Sequence, residues 1–331
     1  VKPSQLASLL EKVLPARHPI LVKGKPGVGK TSIAEQVCAK LKYELMIEHP
    51  VVSDPTDYKG LPFAVKGEAN FLPFANLKRM MTATRPLVVL LDDVGQAPPL
   101  VQASLMQLLL SRSINGKSVS EYVSFMACTN RRADKAGVSG MLEPVKSRFC
   151  TIVELDADID DWVKWALNAD MPMELIAFLR YRPNLLCDFK PTAELTNSPS
   201  PRTAHNIGKL MRIGLPPELE YETFSGAAGE GFASELIGFL KIWRNLPSPD
   251  MVIMAPDKVE VPKDIATLYA ICGALAAKAG QNSFANIMKY GNRMPPEFSV
   301  LLTRDCCAKE PSLVNTKAFV RWAEEHKDFV I

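Results

Sequence analysis

An α/β domain on a parallel five-stranded sheet, flanked by helices and followed by an all-helical region, is the fold class this sequence predicts. Three observations predict it. Short apolar runs alternate with helical patterns up to about residue 155. One of those runs leads straight into a glycine-rich loop and out into a helix, and after Leu155 strand patterns stop while helical ones continue.

Leu6, Leu9, Leu10, Val13 and Leu14 recur at helical spacing until Pro15 ends the helix. Ile20–Lys23 is the first strand, and a helix runs from Thr31 to about Leu41. A strand near Leu45–Ile47, a Pro- and Asp-rich loop at Asp54–Pro62 and a helix near Ala75–Thr82 follow. Pro86–Leu91 is apolar at every position, as in a parallel strand buried on both faces, and it ends at Asp92-Asp93. Pro98-Pro99 opens a long helix through Leu110, Tyr122–Ala127 is a buried strand ending at Thr129-Asn130, and Thr151–Leu155 is the fifth strand. Two inserts read as hairpins: Gly60–Phe74 with a Lys66-Gly67-Glu68 tip, and Ser111–Glu121 turning at Asn115-Gly116. Beyond Asp156, segments 158–167, 172–181, 204–213, 230–243, 264–277 and 316–327 are helical, joined by Pro-rich connections such as Pro183–Pro201 and Pro247–Pro262. The expected domains are therefore 1–155, a helical lid at 156–250 and a C-terminal helical extension at 251–331.

The 331 residues carry 47% hydrophobic and 23% charged side chains, which suits a folded core and disfavours disorder. Lys+Arg 39 against Asp+Glu 36 leaves +3, a poor footprint for a protein wrapped in nucleic acid. No run approaches the ~18 apolar residues that span a bilayer. Seven cysteines without a C-x-x-C pair, and four scattered histidines, support neither a zinc site nor a thioredoxin-type pair. A cytoplasmic protein with reduced thiols is expected, and no membrane association.

Gly24-x-x-x-x-Gly29-Lys30-Thr31 fits the phosphate-binding pattern G-x-x-x-x-G-K-[ST] between a strand and a helix. Glycines let successive backbone N–H groups face the phosphates at a helix N-terminus. Gly24, Lys25, Pro26, Gly27, Val28, Gly29, Lys30, Thr31 and Ser32 are thus the candidate nucleotide cradle, with Lys30 reaching the β- and γ-phosphates and the Thr31 hydroxyl on Mg²⁺. Asp92 ends a central strand at its carboxyl edge, where ligands of open α/β sheets gather, and is the second candidate for Mg²⁺. Asp93 is the candidate to orient or deprotonate the attacking water.

These motifs, with the strand ending Cys128-Thr129-Asn130, Lys146-Ser147-Arg148-Phe149 and Ser200-Pro201-Arg202-Thr203, stand in the order of an AAA+ ATPase. The chain resembles the MoxR branch and its CbbQ/NorQ-like members, through Asp54–Pro62 and Val94–Leu110 as well. The resemblance covers about Leu14–Ile213, and the last hundred or so residues carry no recognised motif. It implies that Asn130 is sensor 1, that Arg148 is an arginine finger for a neighbouring subunit, and that Arg202 is sensor 2 within its own subunit. It also implies a homo-oligomeric ring, a hexamer, using ATP and Mg²⁺ as a chaperone-like motor. Its partner would carry a von Willebrand factor A domain, and both hairpin inserts are candidates for touching the client, whose identity the sequence does not carry.

Asp93 departs from the pattern, which usually has Glu there. A side chain one methylene shorter leaves the carboxylate ~1 Å or more short of the usual water position unless the backbone compensates, so slow or partner-dependent turnover is expected. A nucleic-acid motor on the same core and an ATP-gated scaffold that does not hydrolyse are the alternatives. The near-neutral charge argues against the first. Phe63, Phe71 and Phe74 read as packing residues, Trp162, Trp165, Phe178 and Tyr181 as lid core, and Arg131-Arg132 as a solvated charge pair.

Overall fold

Alternation of apolar segments with amphipathic ones places the first elements in chain order. They are α1 (Pro3–Val13), β1 (Ile20–Gly24), α2 (Lys30–Leu41), β2 (Glu44–Glu48) and a short α3 (Pro55–Lys59). A hairpin of β3 (Leu61–Val65) and β4 (Glu68–Leu72) leads to α4 (Ala75–Thr82), β5 (Leu87–Leu91) and α5 (Pro99–Ser111). A second hairpin, β6 (Ser113–Ile114) and β7 (Lys117–Ser118), precedes β8 (Val123–Thr129), α6 (Glu143–Lys146) and β9 (Thr151–Leu155). The structure, a computed structural model, describes residues 1–134, 140–191 and 195–326.

Five strands form one parallel sheet in the order β2-β5-β8-β1-β9. Because side chains alternate along a strand, the sheet has two buried faces. Leu21, Met46, Val89, Leu91 and Phe125 pack with Tyr58, Leu77, Met80, Val101, Leu105 and Val145 from α3 to α6. Ile20, Val22, Val88, Leu90 and Met126 pack with Leu6, Leu10, Ile33 and Val37 from α1 and α2. Every residue of β5 is buried, as its unbroken apolar run requires. The fold is an α/β P-loop fold, with the glycine-rich loop running between β1 and α2.

Both hairpin turns follow from their residues. Lys66 and Gly67 have φ of 53° and 85°, and Asn115 and Gly116 have 50° and 75°, the left-handed pairs that two-residue hairpins demand. The aromatic residues of the first hairpin are corrected by the structure. Phe63 and Phe71 are 53% and 44% exposed, because among the described residues β3 and β4 pair only with each other and nothing covers their faces.

The chain divides into two units, Val1–Asp158 with Phe189–Pro191, and Ile159–Asp188 with Thr192–Ile331. The second contains α7 (Ile159–Asn168), α8 (Met173–Tyr181), α9 (Pro201–Arg212), α10 (Pro217–Ala228) and α11 (Glu230–Arg244). It continues with α12 (Pro249–Met254), α13 (Ile265–Ala277), α14 (Phe284–Gly291), α15 (Pro296–Lys309) and α16 (Lys317–Glu325). Within this unit α13, apolar along its length, packs on α8, α11 and α15. Trp162 and Phe178 are buried as expected of lid core, while Trp165 and Tyr181 are half-buried. Helices α10, α12, α14 and α15 were not foreseen in the sequence, and α12 falls inside an expected Pro-rich connection. Pro249 stands at its first position, where a proline has no N–H to waste. Lys327 and the tail of the expected extension lie outside the described residues. Among the described residues no helix is long and apolar enough to cross a membrane, and none of the seven cysteines is joined in a disulfide.

Candidate functional site

Parallel strands place their carboxyl ends along one edge of the sheet, and the candidate cradle, Asp92, Asp93 and Asn130 gather there. Gly24 ends β1 where it pairs with Leu155, so close that a Cβ on it would stand 2.8 Å from the Leu155 carbonyl oxygen. Gly27 and Gly29 take φ of 73° and 106°, which only glycine adopts without strain, and Gly29 caps α2. This local geometry turns the loop back over the strand and starts α2 at Lys30.

Lys30 is 7% exposed, and its ammonium donates to Gly24 O at 3.0 Å, Lys25 O at 3.1 Å and Asn130 Oδ1 at 2.8 Å. Asn130 Nδ2 donates in turn to Asp93 Oδ1 at 3.1 Å. With a cation on one side and a carboxylate on the other, only this orientation of the amide satisfies both neighbours. Thr31 Oγ1 donates to Asp92 Oδ2 at 2.8 Å, and the Asp93 N–H donates to Asp92 Oδ1 at 3.1 Å. Residues from β1, α2, β5 and β8 thus share one hydrogen-bonded chain. A hydroxyl and a carboxylate side by side are the hard oxygen donors Mg²⁺ prefers, so Thr31 and Asp92 fit that ion. Burial, reinforced by the negative charge of Asp92 and Asp93, pushes the Cys128 thiol up, which leaves it an inert packing group at the base of the site.

Arg131 follows Asn130, and the structure corrects its reading as a solvated charge. Its guanidinium binds Asp134 through both carboxylate oxygens, at 2.7 and 3.0 Å, and reaches Glu154 of β9 at 3.2 Å. Lys23 of β1 joins Glu154 at 2.9 Å. Hydrogen bonds from Lys23 and then Arg131 hold the Glu154 carboxyl below its ordinary range. This network fastens the backbone after Asn130 across β1 to the edge strand. The spacing Arg131-x-x-Asp134 was the available signal; the partner Glu154 had none. Arg132 is exposed.

Within the first unit, Arg148 lies apart from this cluster. Arg148 follows α6 at the foot of β9, where the Cys150 N–H donates to Pro19 O at 2.8 Å, beside the start of β1. Five residues of strand, roughly 16 Å, separate that edge from the P-loop of the same unit. Arg202 is exposed in the first turn of α9, in the second unit. Ser200 caps that helix, accepting from the Thr203 N–H at 3.2 Å, while the Ser200 N–H donates to Thr203 Oγ1 at 2.8 Å.

Residues 19–149 match the family model of the AAA domain, dynein-related subfamily. This segment is similar to an AAA domain. It carries the cradle, both acids, Asn130 and Arg148. No curated protein matches the chain. Among solved structures, NtrX from Brucella abortus is 16% identical over 92% of this chain and 67% of its own, with a TM-score of 0.42. A P216G mutant of RuvB from Thermotoga maritima is 15% identical over 99% of this chain and 96% of its own, with a TM-score of 0.38. The RuvB Holliday junction branch migration motor of the same organism is 16% identical over 99% and 94%, with a TM-score of 0.36.

Proposed function

We propose that this chain is a MoxR-like AAA+ ATPase that binds and hydrolyses Mg-ATP between subunits of a homo-oligomeric ring, a hexamer, in the cytoplasm. It would use the cycle to remodel or activate a client protein together with a partner bearing a von Willebrand factor A domain. The observation that carries the ATPase reading is the joined set Lys30–Asn130–Asp93 and Thr31–Asp92 at the carboxyl edge of the sheet.

In this reading the cradle from Gly24 to Ser32 wraps the phosphates with backbone N–H groups, and Lys30 turns from its carbonyl partners to the β- and γ-oxygens. Thr31 and Asp92 would hold Mg²⁺, which supplies charge neutralisation at the phosphates. Asp93 accepts the proton of the attacking water while Asn130 fixes the direction of its carboxylate. Arg148, about a strand length from its own P-loop, serves the site of the next subunit. Arg202 supplies a second guanidinium from its own chain. Guanidinium groups on the transferring phosphoryl can accelerate such reactions by ~10³–10⁵.

The exposed apolar hairpin of β3 and β4 supports a contact with a client or neighbour. The Asn115 amide binds the Lys59 carbonyl oxygen at 2.6 Å, which holds the second hairpin beside the base of the first. Both inserts therefore act as one surface in this proposal.

The test is specific ATPase activity measured across protein concentration, without partner. Activity per molecule that rises and then plateaus is expected, because each site is completed by a neighbour. In the same assay Lys30→Ala should lose nucleotide binding, whereas Arg148→Ala should bind nucleotide and lose turnover. Activity independent of concentration, or full turnover in Arg148→Ala, would overturn the shared site. ATP binding without turnover at any concentration would favour the gated scaffold instead.

A further inference from the structure

We infer that Gln102 is a positioning residue for Arg148: its buried amide staples the segment downstream of Asp93 to the start of the helix that delivers the finger. The inference rests on the reading above, in which Arg148 acts on a neighbouring subunit.

Gln102 lies in α5, the helix that follows the two acids, and is 1% exposed. A primary amide has two N–H donors and one carbonyl acceptor, and all three functions are used. Nε2 donates to Ala97 O at 3.0 Å and to Gly140 O at 3.0 Å, and Oε1 accepts from the Leu142 N–H at 2.9 Å. Ala97 is four residues beyond Asp93. Leu142 is the residue on which α6 begins. One side chain therefore binds the backbone on the active-site side and the backbone on the finger side, with no water-exposed arm.

The finger segment is otherwise held by packing. Val145 and Phe149 lie in the same core cluster as Val101, Leu105 and Leu108 of α5, and the Arg148 N–H donates to Val145 O at 3.1 Å. The Arg148 side chain itself is left for another use. Nη1 donates to the adjacent Ser147 Oγ at 2.8 Å, and Nε is buried without a partner. Arg131, Arg180, Arg182 and Arg244 each bind a carboxylate of their own chain. Arg148 has no carboxylate partner among the described residues. A guanidinium held on a rigid base yet unspent inside its own unit suits contact with phosphate on a neighbour, and Gln102 fixes that base. The Ala97 carbonyl and the Leu142 N–H cannot separate without breaking bonds to the same amide, so a shift beside Asp93 is passed to α6.

Mixed rings test this. Asp93→Ala subunits keep their finger but lose their own site, and Arg148→Ala subunits do the reverse, so a mixture of the two should regain activity that neither shows alone. Absence of that regain would refute the trans reading itself. Gln102→Met keeps the volume and removes all three hydrogen bonds. Alone, it should bind nucleotide with affinity within about twofold of wild type and lose turnover on the order of 10²-fold, the scale of a misplaced catalytic group. Mixed with Asp93→Ala it should recover as Arg148→Ala does. Full turnover of Gln102→Met alone, or no recovery where the Arg148→Ala control recovers, overturns the role of Gln102. Gln102→Glu, which keeps the acceptor for Leu142 but loses both donors, gives the same readouts if the Met variant does not fold.

Discussion

Asp93 sits at φ 54°, ψ 33°, a left-handed conformation that Asp and Asn tolerate better than other side chains because a short polar group can bond locally. The backbone there departs from an extended strand end, so the shorter carboxylate is presented by an altered main chain. Its Oδ1 lies 3.1 Å from Asn130 Nδ2. Asn at position 93 should keep the backbone, the shape and a polar contact, while removing the proton acceptor. Asp93→Asn is therefore expected to bind ATP within about twofold of wild type and to lose turnover by ~10²-fold or more, the usual contribution of a general base. Binding titration and steady-state assay on the same preparation check it. A variant that keeps more than a tenth of the activity would assign the base elsewhere. That the cradle, Asp92, Asp93 and Asn130 would come together was legible in the sequence, because each is tied to a local pattern of strand end or glycine turn. The bond of Arg131 to Glu154 and those of Gln102 to Gly140 and Leu142 were not, since these partners are distant in the chain and carry no motif.

At the scale of elements, the strands were readable because burial on both faces demands unbroken apolar runs, as in Leu87–Leu91. The missed helix α15 shows the opposite case. Arg304-Asp305 sits in its middle and reads as surface, yet Asp305 is 2% exposed and binds Arg180 of α8 through both oxygens, Nη2 to Oδ1 at 2.7 Å. A charge is buried there only because a partner 125 residues away neutralises it, which no local pattern reveals. Helix α10, with Glu218, Glu220 and Glu222 and little amphipathic contrast, was missed for a related reason: Glu220 is buried against Arg244 of α11. Removing one member of the α8–α15 pair leaves the other charge buried and unpaired. Asp305→Ala is therefore expected to destabilise the helical unit by about 3–5 kcal/mol, whereas Arg180→Met with Asp305→Leu should come close to neutral. Urea unfolding of the single and double variants decides it. Equal losses in the two would mean the pair stabilises the unit by its attraction.

For the whole molecule, the division into two units gives Arg202 a distinct test. The cradle belongs to the unit of residues 1–158, and Arg202 belongs to the helical unit. Arg202 is exposed, beside a helix N-terminus whose cap is made by Ser200 and Thr203 and not by its guanidinium. A role as sensor 2 requires that nucleotide held in the first unit be felt by that helix. Adding Mg-ATP should then slow amide exchange in α9 as well as in the P-loop and α2. Arg202→Ala should keep the protection of the P-loop and lose that of α9, with a rise in the ATP concentration needed for half-maximal turnover. Ligand binding stabilises only the parts of a protein that exchange through states unable to bind it, so protection in α9 reports contact or coupling to the nucleotide directly. If α9 is protected equally in wild type and Arg202→Ala, the helical unit closes on nucleotide by other groups and Arg202 is not sensor 2. If neither shows protection, the helical unit takes no part in holding nucleotide.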